Sequence, residues 1–130
     1  MEVGAWGERS AEHFLRREDL TVLKRNWLSG SLEADLVALQ ERTIVIIEVK
    51  TRHESLREYF PALGAVDQEK RRRLTILAHS FIRNNGPLCR RFGLRYVRID
   101  AVEVYYRKLV LLPRQVSDVV WRRGLPEQIS

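Results

Sequence analysis

Apolar residues recur at helical spacing in two parts of the chain. In the first, Ala11, Phe14 and Leu15 lie on one side of a predicted helix at residues 4–17. In the second, a longer apolar stripe predicts a helix at residues 67–84, with Asp67 as its N-cap. The stripe consists of Leu74, Leu77, Ala78, Phe81 and Ile82.

Elsewhere the apolar positions form the short runs that are typical of β-strands. Residues 21–26 predict a short strand, followed by a turn at 27–32 that contains a Ser-Gly-Ser sequence. Residues 94–106 predict a long strand, and residues 108–112 a short edge strand. Together with the two helices, this order predicts an α/β fold with a mixed β-sheet flanked by α-helices.

The last part of the chain has a weaker pattern. Residues 113–130 contain Val119, Val120 and Trp121, which could dock on the core or on a second subunit. We therefore expect an α/β domain at residues 1–112 and a C-terminal tail at 113–130 that is either docked or interface-forming.

The most regular strand signal is a pair of apolar runs at residues 36–39 and 44–47. They predict a hairpin with Glu41 and Arg42 at its tip, so that positions whose numbers sum to 83 face each other. A loop of three or five residues would instead shift the register by one residue. The loop lacks the Asn-Gly signal, so its residue types leave this choice open.

The predicted hairpin register places charged residues opposite each other. Asp35 lies across from Glu48, and Glu33 across from Lys50, with facing Cβ atoms about 5 Å apart. Two carboxylates at this distance suit a hard divalent cation such as Mg²⁺, and a lysine beside them could hold a water or steady a phosphate. The alternative is an ordinary ion pair between Glu48 and Lys50 at the end of a strand.

A run of cations begins the second helix. It consists of Lys70, Arg71, Arg72 and Arg73. Basic side chains at the positive end of a helix dipole create a favourable place for phosphate. The alternative is a solvated basic face, which is what most charge runs form.

Composition narrows the class of protein. The 130 residues suffice for one domain, and 45% hydrophobic with 31% charged residues indicates a globular chain. The formal net charge of +6 favours a polyanionic partner such as nucleic acid. A single cysteine, Cys89, excludes an internal disulfide and fits a reducing compartment. Without a membrane-length apolar segment or a signal peptide, the expected location is cytoplasmic.

Six motifs, in order, resemble the YraN-like family of predicted bacterial endonucleases. These proteins are related to archaeal Holliday-junction resolvases in the PD-(D/E)xK, or restriction-endonuclease-like, superfamily. The resemblance covers about residues 4–104. The matching blocks are Gly4-Ala5-Trp6-Gly7-Glu8, Arg25-Asn26-Trp27, Glu33-Ala34-Asp35-Leu36, Glu48-Val49-Lys50-Thr51-Arg52, Lys70 with Arg73-Leu74, and Arg98-Ile99-Asp100.

The resemblance implies a restriction-endonuclease-like fold and a role for each matching residue. Asp35, Glu48 and the carbonyl of Val49 would bind Mg²⁺ or Mn²⁺, Lys50 would be the catalytic lysine, and Glu8 would add an acidic group. Gln68 and Lys70 would border the site from the second helix. Apart from the resemblance, Lys70, Arg71 and Arg72 are expected to contact nucleic acid as part of the basic helix start. Arg52 could contact phosphate, and the alternative is an ordinary surface arginine at a strand end.

Two positions depart from the family pattern. Ala34 replaces the proline that names the superfamily, and Leu32 stands where the family usually has glycine before its glutamate. Leu32 in place of glycine could alter the turn into the strand that carries Asp35, and with it the strand register on which the site depends.

Two functions follow as expectations. The first is a metal-dependent endonuclease acting on DNA, with branched or otherwise structured DNA among its candidate substrates. The second is a nucleic-acid-binding module with the same fold that does not cleave. The resolvase relatives make a homodimer compatible with either function. A third reading is an assembly factor that uses the apolar tail near Trp121 as its contact.

Overall fold

The computed structural model describes residues 2–57 and 68–129. Within them the chain forms three α-helices, one short 3₁₀ helix and six strands. The bounds are α1 Val3–Arg16, β1 Thr21–Ser29, β2 Leu32–Gln40, β3 Thr43–His53, the 3₁₀ helix Glu54–Leu56, α2 Gln68–Asn84, α3 Gly86–Phe92, β4 Tyr96–Arg107, β5 Gln115–Arg122 and β6 Glu127–Gln128.

The strands form one mixed sheet in the order β1-β2-β3-β4-β5, and β6 pairs with the beginning of β4. The pairing of β3 with β4 is parallel, and the other recorded pairings are antiparallel. A parallel pair requires a crossover connection, and α2 lies within it. The predicted α/β class is confirmed, and the helix-flanked mixed sheet is consistent with a restriction-endonuclease-like fold.

Each face of the sheet is covered by one long helix. Ala11 and Leu15 of α1 pack against Val45 and Ile47 on one face. The α2 stripe, which includes Leu74 and Phe81, packs on the other face against Ile44 and Ile46 of the same strand. A strand buried on both faces has a continuous apolar sequence, and this explains the unbroken Ile44–Ile47 run.

The predicted hairpin register is confirmed. Gln40 pairs with Thr43 and Leu36 with Ile47, so each pair sums to 83. Glu41 at the tip has a φ of 55°, which a tight two-residue turn requires. The ladder runs from the tip to the pair Leu36–Ile47, and Asp35 and Glu48 come directly after this last pair.

Three local expectations are wrong. β1 continues to Ser29, so the predicted turn at 27–32 shrinks to the residues around Gly30. Residues 108–112 are not an edge strand, because the chain reverses direction there between β4 and β5. A short helix, α3, also follows Asn85, where the pattern indicates only a helix end. The predicted Asp67 cap lies outside the described residues.

The C-terminal residues continue the sheet. β5 pairs along the second half of β4, from Ala101–Arg122 to Arg107–Gln115. Buried Asp100 helps to fix this segment, because it accepts hydrogen bonds from Arg98 Nε at 2.9 Å, Trp121 Nε1 at 2.8 Å and the Gly124 amide at 2.9 Å.

No helix in the described residues is long and apolar enough to cross a membrane.

Candidate metal and nucleic-acid site

Asp35 lies where β2 and β3 stop pairing. Its Oδ2 accepts a hydrogen bond of 2.7 Å from the Val49 amide of β3. The carboxylate thus takes the place of a backbone acceptor at the end of the ladder. This bond connects two of the predicted metal ligands, Asp35 and Val49, through the Val49 amide. The predicted role of the Val49 carbonyl as a ligand stays a prediction.

Glu48 is nearly buried, with 7% of its surface exposed, and two ammonium groups contact it. Its Oε1 accepts a hydrogen bond of 3.1 Å from Lys50 Nζ and a second, short one from Lys70 Nζ on α2. Burial acts to lower the pKa of Lys70, but the adjacent Glu48 carboxylate outweighs it, so that this pKa is raised. Lys70 is therefore charged at neutral pH and compensates the buried Glu48.

Glu8 reaches the same place from α1. Its carboxylate lies beside that of Asp35, and each affects the pKa of the other. The pKa of Asp35 is raised to about 7, first by burial and then by the charges of Glu48 and Glu8, while the hydrogen bond from Val49 acts to lower it. Burial and the charges of Glu33 and Glu48 also raise the pKa of Glu8. Glu8, Asp35 and Glu48 are therefore neighbours in the structure, and their predicted roles at a metal site stay a prediction.

Asn26 and Glu33 belong to this cluster but are absent from the predicted site. With its amide oriented to donate, Asn26 Nδ2 lies 3.0 Å from Glu8 Oε1 and 3.2 Å from Glu33 Oε1. Asn26 has a φ of 47°, a conformation that asparagine adopts more readily than most residues. The Arg25-Asn26-Trp27 motif is the sequence feature that singles out Asn26, but the motif does not indicate which residues its side chain contacts.

The donor set fits a hard divalent cation in chemistry. The converging groups are carboxylates, which Mg²⁺ and Mn²⁺ prefer. The pKa of Asp35 is raised first by burial and then by the charges of Glu48 and Glu8, and a bound cation would favour its ionised form. A cleft of about 230 Å³ opens beside Glu8, Asn26 and Asp35. In the described parts of the chain, no three His, Cys, Asp or Glu side chains are arranged so that together they could hold a metal ion. A site here would thus need two carboxylates completed by backbone oxygen and water.

The predicted nucleic-acid contacts occupy two places. Gln68 and Arg72 are exposed on the first turns of α2, and Arg71 is half-buried there. Lys70 points instead to Glu48, inside the cluster. Arg52 lies on β3 two residues after Lys50, and its Nε has no hydrogen-bond partner among the described residues.

Gly7 determines how closely α1 approaches the site. A Cβ on Gly7 would lie 1.8 Å from Thr51 Oγ1, whereas a Cβ on Gly4 would meet nothing within 4 Å. The glycine thus lets the helix that carries Glu8 lie against the strand that carries Glu48 and Lys50.

We expect Gly7→Ala to lower the free energy of unfolding by about 1–3 kcal/mol, because the helix must move away from Thr51. Gly4→Ala is the matched control and should leave stability unchanged or slightly higher, since alanine favours helix. Thermal unfolding of both variants checks this. Equal midpoints for the two variants would show that α1 does not depend on this close approach.

Comparison with known proteins identifies the family. The model of the uncharacterised protein family UPF0102 matches residues 7–104. A UPF0102 protein of Renibacterium salmoninarum is 40% identical over 104 residues, which cover 80% of this chain and 82% of the relative. A UPF0102 protein of Treponema pallidum is 31% identical over 121 residues, which cover 91% and 94%. A third, from Beutenbergia cavernae, is 41% identical over 102 residues, which cover 78% and 80%. The chain therefore belongs to the uncharacterised protein family UPF0102, the YraN-like family that its motifs predict.

Proposed function

We propose that this UPF0102 protein is a metal-dependent endonuclease acting on DNA, including branched or otherwise structured DNA. The observation that carries the proposal is the convergence of Asp35 and Glu48 where β2 and β3 part, with Lys50 two residues further along the same strand. The net charge of +6 supports a polyanionic substrate.

Each side chain has an assigned task in this proposal. Asp35 and Glu48, with the Val49 carbonyl, would hold Mg²⁺ or Mn²⁺, and Glu8 would border the metal from α1. A bound divalent cation would supply an activated water and neutralise charge on the phosphate. Lys50 would orient the attacking water or stabilise the charge that develops on the phosphate oxygens.

A second candidate is a nucleic-acid-binding module that does not cleave. It is favoured by the pairing of Glu48 with both Lys50 and Lys70, since two ammonium groups already compensate this carboxylate. The two candidates share the basic surface of α2 and differ in whether a metal displaces these ammonium groups from Glu48.

Nicking of supercoiled plasmid DNA distinguishes the candidates. The endonuclease proposal expects nicking in Mg²⁺ or Mn²⁺ that EDTA suppresses. Stable DNA binding without nicking in either metal would leave only the binding module.

The basic residues at the start of α2 are expected to act in binding and not in metal capture. Arg71→Ala combined with Arg72→Ala should weaken DNA binding about tenfold and reduce its dependence on salt, because phosphate contacts are lost. Any increase in thermal stability caused by metal should stay intact. Fluorescence anisotropy and thermal unfolding measure the two effects.

The matched control is Arg83→Ala, which removes an exposed arginine from the last turn of the same helix. It should change binding less than twofold. An equal loss of DNA binding and of metal-induced stabilisation in the double variant would contradict the separation of roles between α2 and the β2–β3 hairpin.

A further inference from the structure

A second ionic cluster lies on the strands next to the candidate site. Glu103 on β4 is 1% exposed, and it accepts hydrogen bonds from Arg122 Nε on β5 and from the Tyr105 hydroxyl. Lys50 of the candidate site is the register partner of Glu103, and Arg52 is that of Tyr105. The cluster therefore continues the row of polar side chains that begins at Glu48 and Lys50.

Register places Arg122 on the same face of the sheet as Glu48. Glu48 pairs with Ala101, and Ala101 pairs with Arg122. Residues that pair across a sheet share a face, so the two side chains are two strands apart, or roughly 10 Å at the usual strand spacing. This separation is roughly three base-pair steps along a duplex.

Stability alone gives a weak reason for this cluster. A buried carboxylate is costly to desolvate, and well-packed apolar residues usually stabilise a sheet at least as well as a buried ion pair. The arginine is not itself buried, since 47% of its side chain is exposed. A guanidinium carries five N–H donors, and the contact with Glu103 engages its Nε–H. The result is an accessible arginine whose orientation is fixed by a buried partner.

We propose that Arg122 binds a second backbone phosphate of the nucleic acid, a few base-pair steps from the one that lies at Lys50, with Glu103 and Tyr105 as positioning residues. The inference rests on the proposed function, because it takes nucleic acid as the ligand of the neighbouring site. It extends the contact surface from β3 across β4 to β5, beyond the segment that the family model matches.

The chain offers a matched control in the next residue. Arg123 lies over the ring of Trp121 at 3.9 Å, and Trp121 pairs with Val102, which belongs to the core beneath α1. Arg123 is therefore on the opposite side of the sheet from Arg122. Substituting either arginine changes the net charge equally, so a difference between them reports position and not charge.

The test compares Arg122→Gln, the double variant Glu103→Gln with Arg122→Gln, and Arg123→Gln. The double variant leaves no unpaired buried charge, so it stays informative if Arg122→Gln alone does not fold. Binding of a fluorescein-labelled DNA duplex in EDTA is measured across a salt series, and cleavage is measured in Mg²⁺ and Mn²⁺. Thermal unfolding confirms that each variant is folded.

We expect Arg122→Gln to bind about five- to tenfold more weakly than wild type, with a salt dependence about one phosphate contact less steep. The double variant, which has the same net charge as wild type, should also bind more weakly than wild type. Arg123→Gln should change affinity less than twofold. Equal affinity of the Arg122 variants and Arg123→Gln would overturn the inference. If wild type still cleaves in that case, the proposed function stands. Absence of cleavage by wild type, with the difference in affinity intact, would remove the nuclease and keep the phosphate contact. A wild-type protein that binds no duplex would overturn both.

Discussion

Replacing Glu48 with glutamine is expected to reduce metal-dependent DNA cleavage about 1,000-fold, or about 4 kcal/mol in activation free energy. Glu48 is the carboxylate that faces Lys50 and Lys70, and its own main chain continues to Val49, whose amide binds Asp35. Glutamine retains the size of the side chain but removes the charge that would hold the cation. The effect should therefore fall on the chemical step and not on the fold.

Glu48→Gln is expected to affect DNA binding differently from DNA cleavage. Removing the Glu48 charge makes the surroundings of Lys50 and Lys70 more positive, so affinity for DNA should be retained or increased. Glu127→Gln, an exposed change on β6, is the control and should leave both properties unchanged. A Glu48→Gln protein that cleaves at more than a tenth of the wild-type rate would contradict the assigned role of this carboxylate.

Saturating Mg²⁺ or Mn²⁺ is expected to stabilise the wild-type protein by about 3–4 kcal/mol at concentrations of 100 to 1,000 times its Kd. Asp35→Asn should abolish this gain. Without metal, Asp35→Asn is expected to be the more stable protein, because burial and then the charges of Glu48 and Glu8 disfavour the ionised form of Asp35. At pH 8, metal-free Asp35→Asn should be more stable than wild type by about 1–2 kcal/mol, after allowance for partial exposure.

The pH dependence follows from the raised pKa of Asp35. The folded protein retains its proton up to about pH 7, whereas the unfolded chain loses it near pH 4. Between these values the folded state binds more protons, so the stability of the metal-free wild type falls as pH rises and this contribution levels off above pH 7. Asp35→Asn lacks this decline, and its advantage should therefore shrink at pH 5.

Urea unfolding at pH 5 and pH 8, with metal and with EDTA, measures all four combinations. The metal-induced gain should be larger at pH 8, because protons compete for the same carboxylate. Identical stabilisation of wild type and Asp35→Asn by metal would place any metal site elsewhere on the protein.

The hairpin and its acidic residues could be predicted because local rules determine them. The run Ile44–Ile47 is apolar at every position, which is typical of a buried strand, and the two-residue tip fixes the register as far as the pair Leu36–Ile47. Asp35 and Glu48 follow this pair, and Asp35 accepts a hydrogen bond from Val49. The helical stripe of α2 is equally local. By contrast, only the resemblance to the family predicts that Glu8 lies near this hairpin.

The remaining features depend on contacts that are distant in sequence. The sequence does not predict β5, because Val119, Val120 and Trp121 are consecutive apolar residues, although only Val119 and Trp121 belong to the core beneath α1. Asn26 acquires its place from the packing of α1 on β1, which no local pattern encodes. Lys70 is predicted both as a phosphate contact and as a residue that borders the site, and its hydrogen bond to Glu48 places it at that border.

The most direct measurement is a cleavage assay on single-stranded, duplex, flap and four-way-junction DNA in Mg²⁺, Mn²⁺ or EDTA. It compares wild type with the double variant Glu48→Ala, Lys50→Ala. We predict metal-dependent cutting by the wild type, absent in the double variant, and the preferred substrate identifies the DNA structure recognised. Binding to these substrates without cutting in either metal, or cutting that persists in the double variant, would contradict the account.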